Sequence, residues 1–224
     1  MEVDKILDGL LNPPDKCSPA FHVVAPSIPG FAFSPPPKKF GFALREAGNV
    51  FNSLMEQLDY HKYVVQGGDF GGSIMRVMAG DYPSSVVSVL SNFWLIPPNA
   101  TDLLRYQQGL TSADENTTIR SLDAFTTQLS GYRLEQETQP LQVAIALTDS
   151  PLGNAMWNYN IMFHLADKYR WTPEEIITWS MMYYIQGPYG AMRIYKETLE
   201  EVRHPINDCS PNLSILTSTT GHRV

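Results

Sequence analysis

The stretch YVVQGGDFGGSIMRVMAGDYP, residues 63–83, decides how the rest of the sequence is read. It opens with a strand-favouring run, Tyr63, Val64 and Val65. After the glycines it turns amphipathic, with Ile74, Val77 and Met78 at helical spacing, until Pro83 closes it. One carboxylate, Asp69, stands at the junction among Gly67, Gly68, Gly71 and Gly72. A sharp strand-to-helix turn of this kind presents a nucleophile on strained backbone. Small residues two before and two after it, here Gly67 and Gly71, let the strand and helix approach closely. The helix start adds a positive dipole end and free N–H groups, so a carboxylate is held ionised there and the Phe70 N–H can serve an oxyanion. A glycine-rich turn with an aspartate helix cap is the plainer alternative. A phosphate loop fits worse, since neither its lysine-serine ending nor the dinucleotide glycine spacing is present.

Working outward, KILDGLL is apolar at helical spacing and FHVVAPS reads as a short buried strand. GFALREAGNVFNSLMEQLDY is an amphipathic helix, KYVVQG the strand before the elbow and VVSVLSNFWLI the next strand. This alternation predicts an α/β fold, a parallel sheet with helices on its faces. From Pro97 the text turns helical and polar. SLDAFTTQLSGYRLEQET, PLGNAMWNYNIMFHLADKY and TPEEIITWSMMYYIQG read as helices, the last opened by Thr172, Pro173 and Glu175. The expected division is a partial catalytic core over residues 1–99, a helical cap or lid over 100–201, and a poorly ordered tail over 202–224.

At 224 residues and 43% hydrophobic content, the chain can bury a core of its own. A net charge of -7 with scattered Lys and Arg argues against a nucleic-acid partner. No apolar run reaches the roughly 18–20 residues of a membrane helix. The start lacks the charge and apolar order of a signal peptide. Cys17 and Cys209 have no metal-ligand spacing and read as free thiols in a reducing compartment, which makes the expected location cytoplasmic.

The identity of the elbow residue narrows the chemistry. Serine attacking saturated carbon would leave an inert ether, whereas a carboxylate gives an ester that water can cleave. Asp69 therefore points to epoxide opening or halide displacement.

On HVVAPSIPGFAFS (22–34), VVQGGDFGGSI (64–74), SGYRLEQETQPLQVAIALTDSPLGNAMW (130–157) and RIYKETLEE (193–201), the sequence resembles the α/β-hydrolase epoxide hydrolases of the microsomal and fungal type. The resemblance implies an α/β-hydrolase fold with a helical cap and an enzyme that opens a small apolar epoxide without cofactor or metal. It places the nucleophile on Asp69 and two epoxide-activating lid phenols on Tyr132 and Tyr195. Phenols are protonated at neutral pH and suit an emerging alkoxide. Tyr183, Tyr184 and Tyr189 read as cap packing, and Trp94, Trp157, Trp171 and Trp179 as core or pocket wall. The family's HGWPGS-like loop before EVDKIL and its GGHFAA-like histidine after the YKE segment have no counterpart here. The expectation is thus a core lacking both ends, with the ester-hydrolysis step impaired. His222 is the candidate water-activating base, with Asp208 as its relay acid, and a solvated tail is the plainer reading of both. Two other readings stay open. One is a catalytically silent pocket for an apolar ligand or a partner. The other is a haloalkane dehalogenase, although the Phe70 side chain lacks the indole N–H that holds halide.

Overall fold

In the computed structural model, residues 3–93, 96–166 and 168–203 are described. The elbow lies inside a β-α-β unit: β1 (Tyr63–Gly67), α3 (Asp69–Asp81) and β2 (Val86–Ser91). Parallel strands need a crossover, and α3 supplies it. β1 and β2 pair in parallel, with Val65 opposite Val89 and Gly67 opposite Ser91. Two helices precede them, α1 (Asp4–Leu11) and α2 (Leu44–Gln57). α2 turns Leu44, Ala47 and Gly48 inward, and together with Ile74, Met75 and Met78 from α3 and Val86 from β2 they fill the core. Each Leu, Ile, Met or Val side chain among them contributes about 1.5–3 kcal/mol by leaving water. Polar groups at the edge of the core are paired: the Tyr63 hydroxyl donates to the Asn52 side-chain oxygen at 2.6 Å.

The structure departs from the sequence reading at FHVVAPS, residues 21–27, which form no strand. Pro26 has no N–H to give a ladder, and the only ladder among the described residues joins β1 to β2. The segment is tied down instead by single bonds, from Phe21 N–H to the Leu10 carbonyl at 2.9 Å and from the Ser34 hydroxyl to the Ser27 carbonyl at 2.7 Å.

The second half is helical throughout: α4 (Ala100–Gln107), α5 (Ala113–Ala124), α6 (Gly131–Thr138), α7 (Pro140–Asp149), α8 (Pro151–Leu165), α9 (Pro173–Tyr184) and α10 (Tyr189–Arg203). The stretch read as one helix over residues 121–138 is broken. A π-helical turn, Phe125–Leu129, leads to Ser130, and α6 restarts after it. Thr126, Thr127 and Ser130 each donate a hydroxyl hydrogen bond to the carbonyl four residues back. Such back-bonding competes with the helix ladder and bends it. α7, α8 and α9 each begin on proline, whose missing N–H costs nothing in a first turn. Thr172 and Glu175 cap α9 reciprocally.

α10 links the two halves. It packs on α6 and α7 and sends Ile194 into the core. Its start lies against the loop after the FHVVAPS segment so closely that a Cβ on Gly30 would sit 2.8 Å from the Gly190 carbonyl oxygen. Arg193 donates to the carbonyls of Lys39 at 2.7 Å and Pro37 at 3.3 Å, and lies over the Phe40 ring. Glu197 accepts from the Gly41 N–H at 2.7 Å. Asp208, Cys209 and His222 lie outside the described residues.

Candidate active site

Asp69 is the first residue of α3 and has φ 49°, in the left-handed region. Holding a non-glycine residue there costs on the order of 1–3 kcal/mol and requires surroundings that leave no alternative. The glycines supply them. A Cβ on Gly67 would lie 2.5 Å from both the carbonyl carbon and oxygen of Gly71. One on Gly68 would strike the Asn92 side chain, and one on Gly72 would come within 2.9 Å of the Phe93 carbonyl oxygen. A Cβ on Gly71 would meet nothing within 4 Å. Strand and helix therefore touch through the bare α-carbon of Gly67 and the main chain of Gly71. The Phe70 N–H, in the first turn of α3, is among the amides a helix leaves without an internal acceptor.

Asp69 is exposed at this turn, and its charge acts on two phenols of the helical half. Tyr132 lies near the start of α6 and Tyr195 in α10. Their rings meet edge to face, 6.2 Å between centroids. The Tyr195 ring lies 4.5 Å from Phe70. Phe31, from the loop that abuts α10, stands 6.5 Å from Phe70 and 5.8 Å from Tyr183. The carboxylate is thus faced by protonated phenols and walled by aromatic rings.

Electrostatics reinforces that state. Burial, and then the negative charge of Asp69, push the Tyr132 phenol up to about 12, against a partial pull downward from Arg133. Tyr195 is raised well above the ordinary phenol range, by burial first and then by Asp69, with Tyr132 and Tyr183 adding to it. The nearby Gln136 amide, the smallest influence, opposes the rise. Both phenols stay protonated at neutral pH and offer donors where negative charge would develop.

Tyr183, read from the sequence as cap packing, belongs to this cluster, because its charge would act on both Tyr132 and Tyr195. Nothing in its local sequence marks it, and only the packing of α9 brings it there. Trp157 packs with Ala144, Leu147 and Met192. It also borders a cavity of about 580 Å³ shared with Tyr132, Val143, Met156 and Ile161. Trp171 meets Tyr169 edge-on with centroids 4.6 Å apart, and Trp94 lies outside the described residues. The described histidines are engaged elsewhere. His22 bonds the Tyr60 hydroxyl at 2.6 Å, His61 lies 3.1 Å from Asp59, and His164 stacks on Phe163. Among the described residues no group of three His, Cys, Asp or Glu side chains could hold a metal, and no helix is long and apolar enough to cross a membrane.

An exposed acid on a strained strand-to-helix turn, served by a helical half, is the architecture of the alpha/beta hydrolase fold family. Residues 6–172 match that family's pattern, and the chain belongs to it. Within the family its relatives share a chemistry. It is 31% identical over 205 residues to juvenile hormone epoxide hydrolase of Bombyx mori, covering 83% of this chain and 44% of the relative. It is 32% identical over 200 residues to epoxide hydrolase 1 of Sus scrofa, covering 80% of this chain and 44% of the relative. The crystal structure of the silkworm juvenile hormone epoxide hydrolase superposes with a TM-score of 0.75 at 27% identity, covering 96% of this chain and 55% of that one. The chain spans less than half the length of the two sequence relatives.

Proposed function

We propose that this chain carries the ring-opening half of an epoxide hydrolase site, acting on a small apolar epoxide. A carboxylate oxygen of Asp69 attacks a ring carbon and the carbon–oxygen bond breaks. The electron pair moves onto the epoxide oxygen, which accepts hydrogen bonds from Tyr132 and Tyr195 and takes the proton of one of them, leaving a phenolate that water reprotonates. The product is an ester between Asp69 and the opened substrate. The observation that carries this reading is the placement of both raised phenols within the field of one exposed carboxylate on a left-handed turn. The aromatic wall and the cavity beside Tyr132 suit an apolar substituent, and the relatives named above are epoxide hydrolases.

Cleaving that ester requires water activated by a base, with the Phe70 N–H serving the oxyanion. Among the described residues the histidines lie against Tyr60, Asp59 and Phe163, and on this reading the adduct persists. Incubating the chain with styrene oxide and measuring its intact mass tests the proposal. A stable one-to-one adduct, absent in Asp69→Asn, supports it. Equal labelling of the two proteins refutes it. Failure of both to react, with apolar ligands still bound, would favour the silent-pocket reading.

A further inference from the structure

Ala32 shares with Asp69 a left-handed backbone, at φ 46°. Alanine has neither glycine's freedom in that region nor the side-chain oxygen by which Asn or Asp steadies it, so its surroundings must hold it there. Ala32 is the first central residue of the turn Phe31–Ser34, which the Ser34 N–H closes by donating to the Phe31 carbonyl at 3.0 Å. A positive φ at that position belongs to the tight turns that favour glycine. The Ala32 carbonyl accepts from the side-chain amide of Gln186, 154 residues away in sequence.

Gln186 is half-buried and stands just past the end of α9, where Gly187, at φ 80°, donates its N–H to the Tyr184 carbonyl at 3.0 Å. Tyr183, three residues before Gln186, meets the Phe31 ring edge to face. One helix end thus holds two consecutive residues of the turn, Phe31 by its ring and Ala32 by its carbonyl. The far side of the Phe31 ring lies toward Phe70, 6.5 Å away between centroids, and Phe70 follows Asp69 in the chain. Without its donor, Ala32 is free to relax to the negative φ that alanine prefers, and the turn carries Phe31 with it.

We infer that Gln186 is the positioning residue for Phe31: by donating to the Ala32 carbonyl it keeps the turn left-handed and the Phe31 ring against Phe70, where the ring limits the bulk of the substituent an epoxide can bring to Asp69. The discrimination rests on the proposed ring opening, whereas the placement of Phe31 can be read without it. Phe31 is then the residue that determines specificity, and Gln186 acts only through it.

Two readouts on the full chain test this, with Gln186→Leu and Phe31→Ala as variants. In chains labelled with 4-fluorophenylalanine, the Phe31 signal is the one missing from Phe31→Ala, and it should move in Gln186→Leu. Gln186→Glu at pH 8 keeps the side chain's length but can only accept, so it should move the signal too and serves if the leucine chain does not fold. The second readout is the ratio of Asp69 adduct rates, by intact mass, for 2-naphthyloxirane over styrene oxide. The intrinsic reactivities of the two epoxides cancel when variant and unsubstituted chain are compared, and general weakening of the fold slows both alike. The ratio should rise about 10-fold or more in Phe31→Ala, the effect of enlarging an apolar pocket. In Gln186→Leu it should rise about 2- to 10-fold, the range of one hydrogen bond. A Phe31 signal indifferent to both Gln186 substitutions overturns the positioning role, as does an unchanged ratio in Gln186→Leu whatever the absolute rates. An unchanged or falling ratio in Phe31→Ala overturns the discrimination. If the signal moves while the unsubstituted chain forms no adduct, the placement of Phe31 by Gln186 stands, and the ring opening falls together with the discrimination built on it.

Discussion

Replacing Gly67 and Gly71 one at a time by alanine separates two kinds of glycine that look alike in the sequence. A Cβ at position 67 would lie 2.5 Å from the Gly71 carbonyl carbon and oxygen and 3.0 Å from the Gly72 nitrogen. All three are main-chain atoms in the first turn of α3, so no rotamer change relieves the clash. β1 and α3 must separate instead. Overpacking of this kind costs about 1–3 kcal/mol. At position 71 the methyl meets open space, and glycine to alanine in a helix gains about 0.5–1 kcal/mol. With a urea slope of roughly 2–3 kcal/mol/M for a domain this size, the midpoint should fall by about 0.5–1 M in Gly67→Ala and rise by a few tenths in Gly71→Ala. Urea titration followed by circular dichroism reads both. Because the separation displaces Asp69, Gly67→Ala should also lose styrene oxide labelling while still folded at zero urea. Equal midpoints for the two variants, or a Gly71→Ala chain as weakened as Gly67→Ala, would refute the assignment of the crowding to Gly67.

In the proposed ring opening, removing one phenol hydroxyl removes one donor to the developing alkoxide. Tyr132→Phe and Tyr195→Phe should each slow adduct formation by about 100- to 1,000-fold, read as the rate of mass gain, and unchanged rates would exclude either residue from the ring opening. The raised phenol of Tyr132 also makes stability depend on alkaline pH. Its folded value of about 12 lies above the ordinary value of 10, so its contribution is complete below pH 10 and is lost as pH rises from 10 to 12, where the unfolded chain releases the proton first. The stability gap between the unsubstituted chain and Tyr132→Phe should therefore change over that window and be constant between pH 7 and 9. A gap that changes below pH 9 would contradict the assigned cause.

The parts of this fold written in local sequence were legible. Glycines around one acid between a β-branched run and an amphipathic run describe the elbow, because strand, turn and helix are neighbours in the chain. The Thr172 and Glu175 cap is local for the same reason. FHVVAPS misleads because a short apolar run has no period to distinguish a strand from a packed loop, and pairing depends on a partner that the run itself does not name. The break after Ala124 was hidden because Thr126, Thr127 and Ser130 continue a helical pattern while their hydroxyls compete for its carbonyls. At the site, composition alone does not select Tyr132 and Tyr195 among 11 tyrosines. Family register does, and the fold then adds Tyr183 of α9, whose charge acts on both phenols although it lies far from them in sequence.

The seam between residues 30–41 and the start of α10 makes these two distant pieces of chain one inheritable unit. Phe31 walls the site from one side of that seam and Tyr195 enters it from the other, while Gly30, Arg193 and Glu197 fasten the sides together. An insertion or exchange in the loop would therefore be transmitted to the position of Tyr195, more than 150 residues away in sequence. A library meant to alter what the proposed site accepts should vary both segments together, since a loop exchanged alone would lose its fit to this α10.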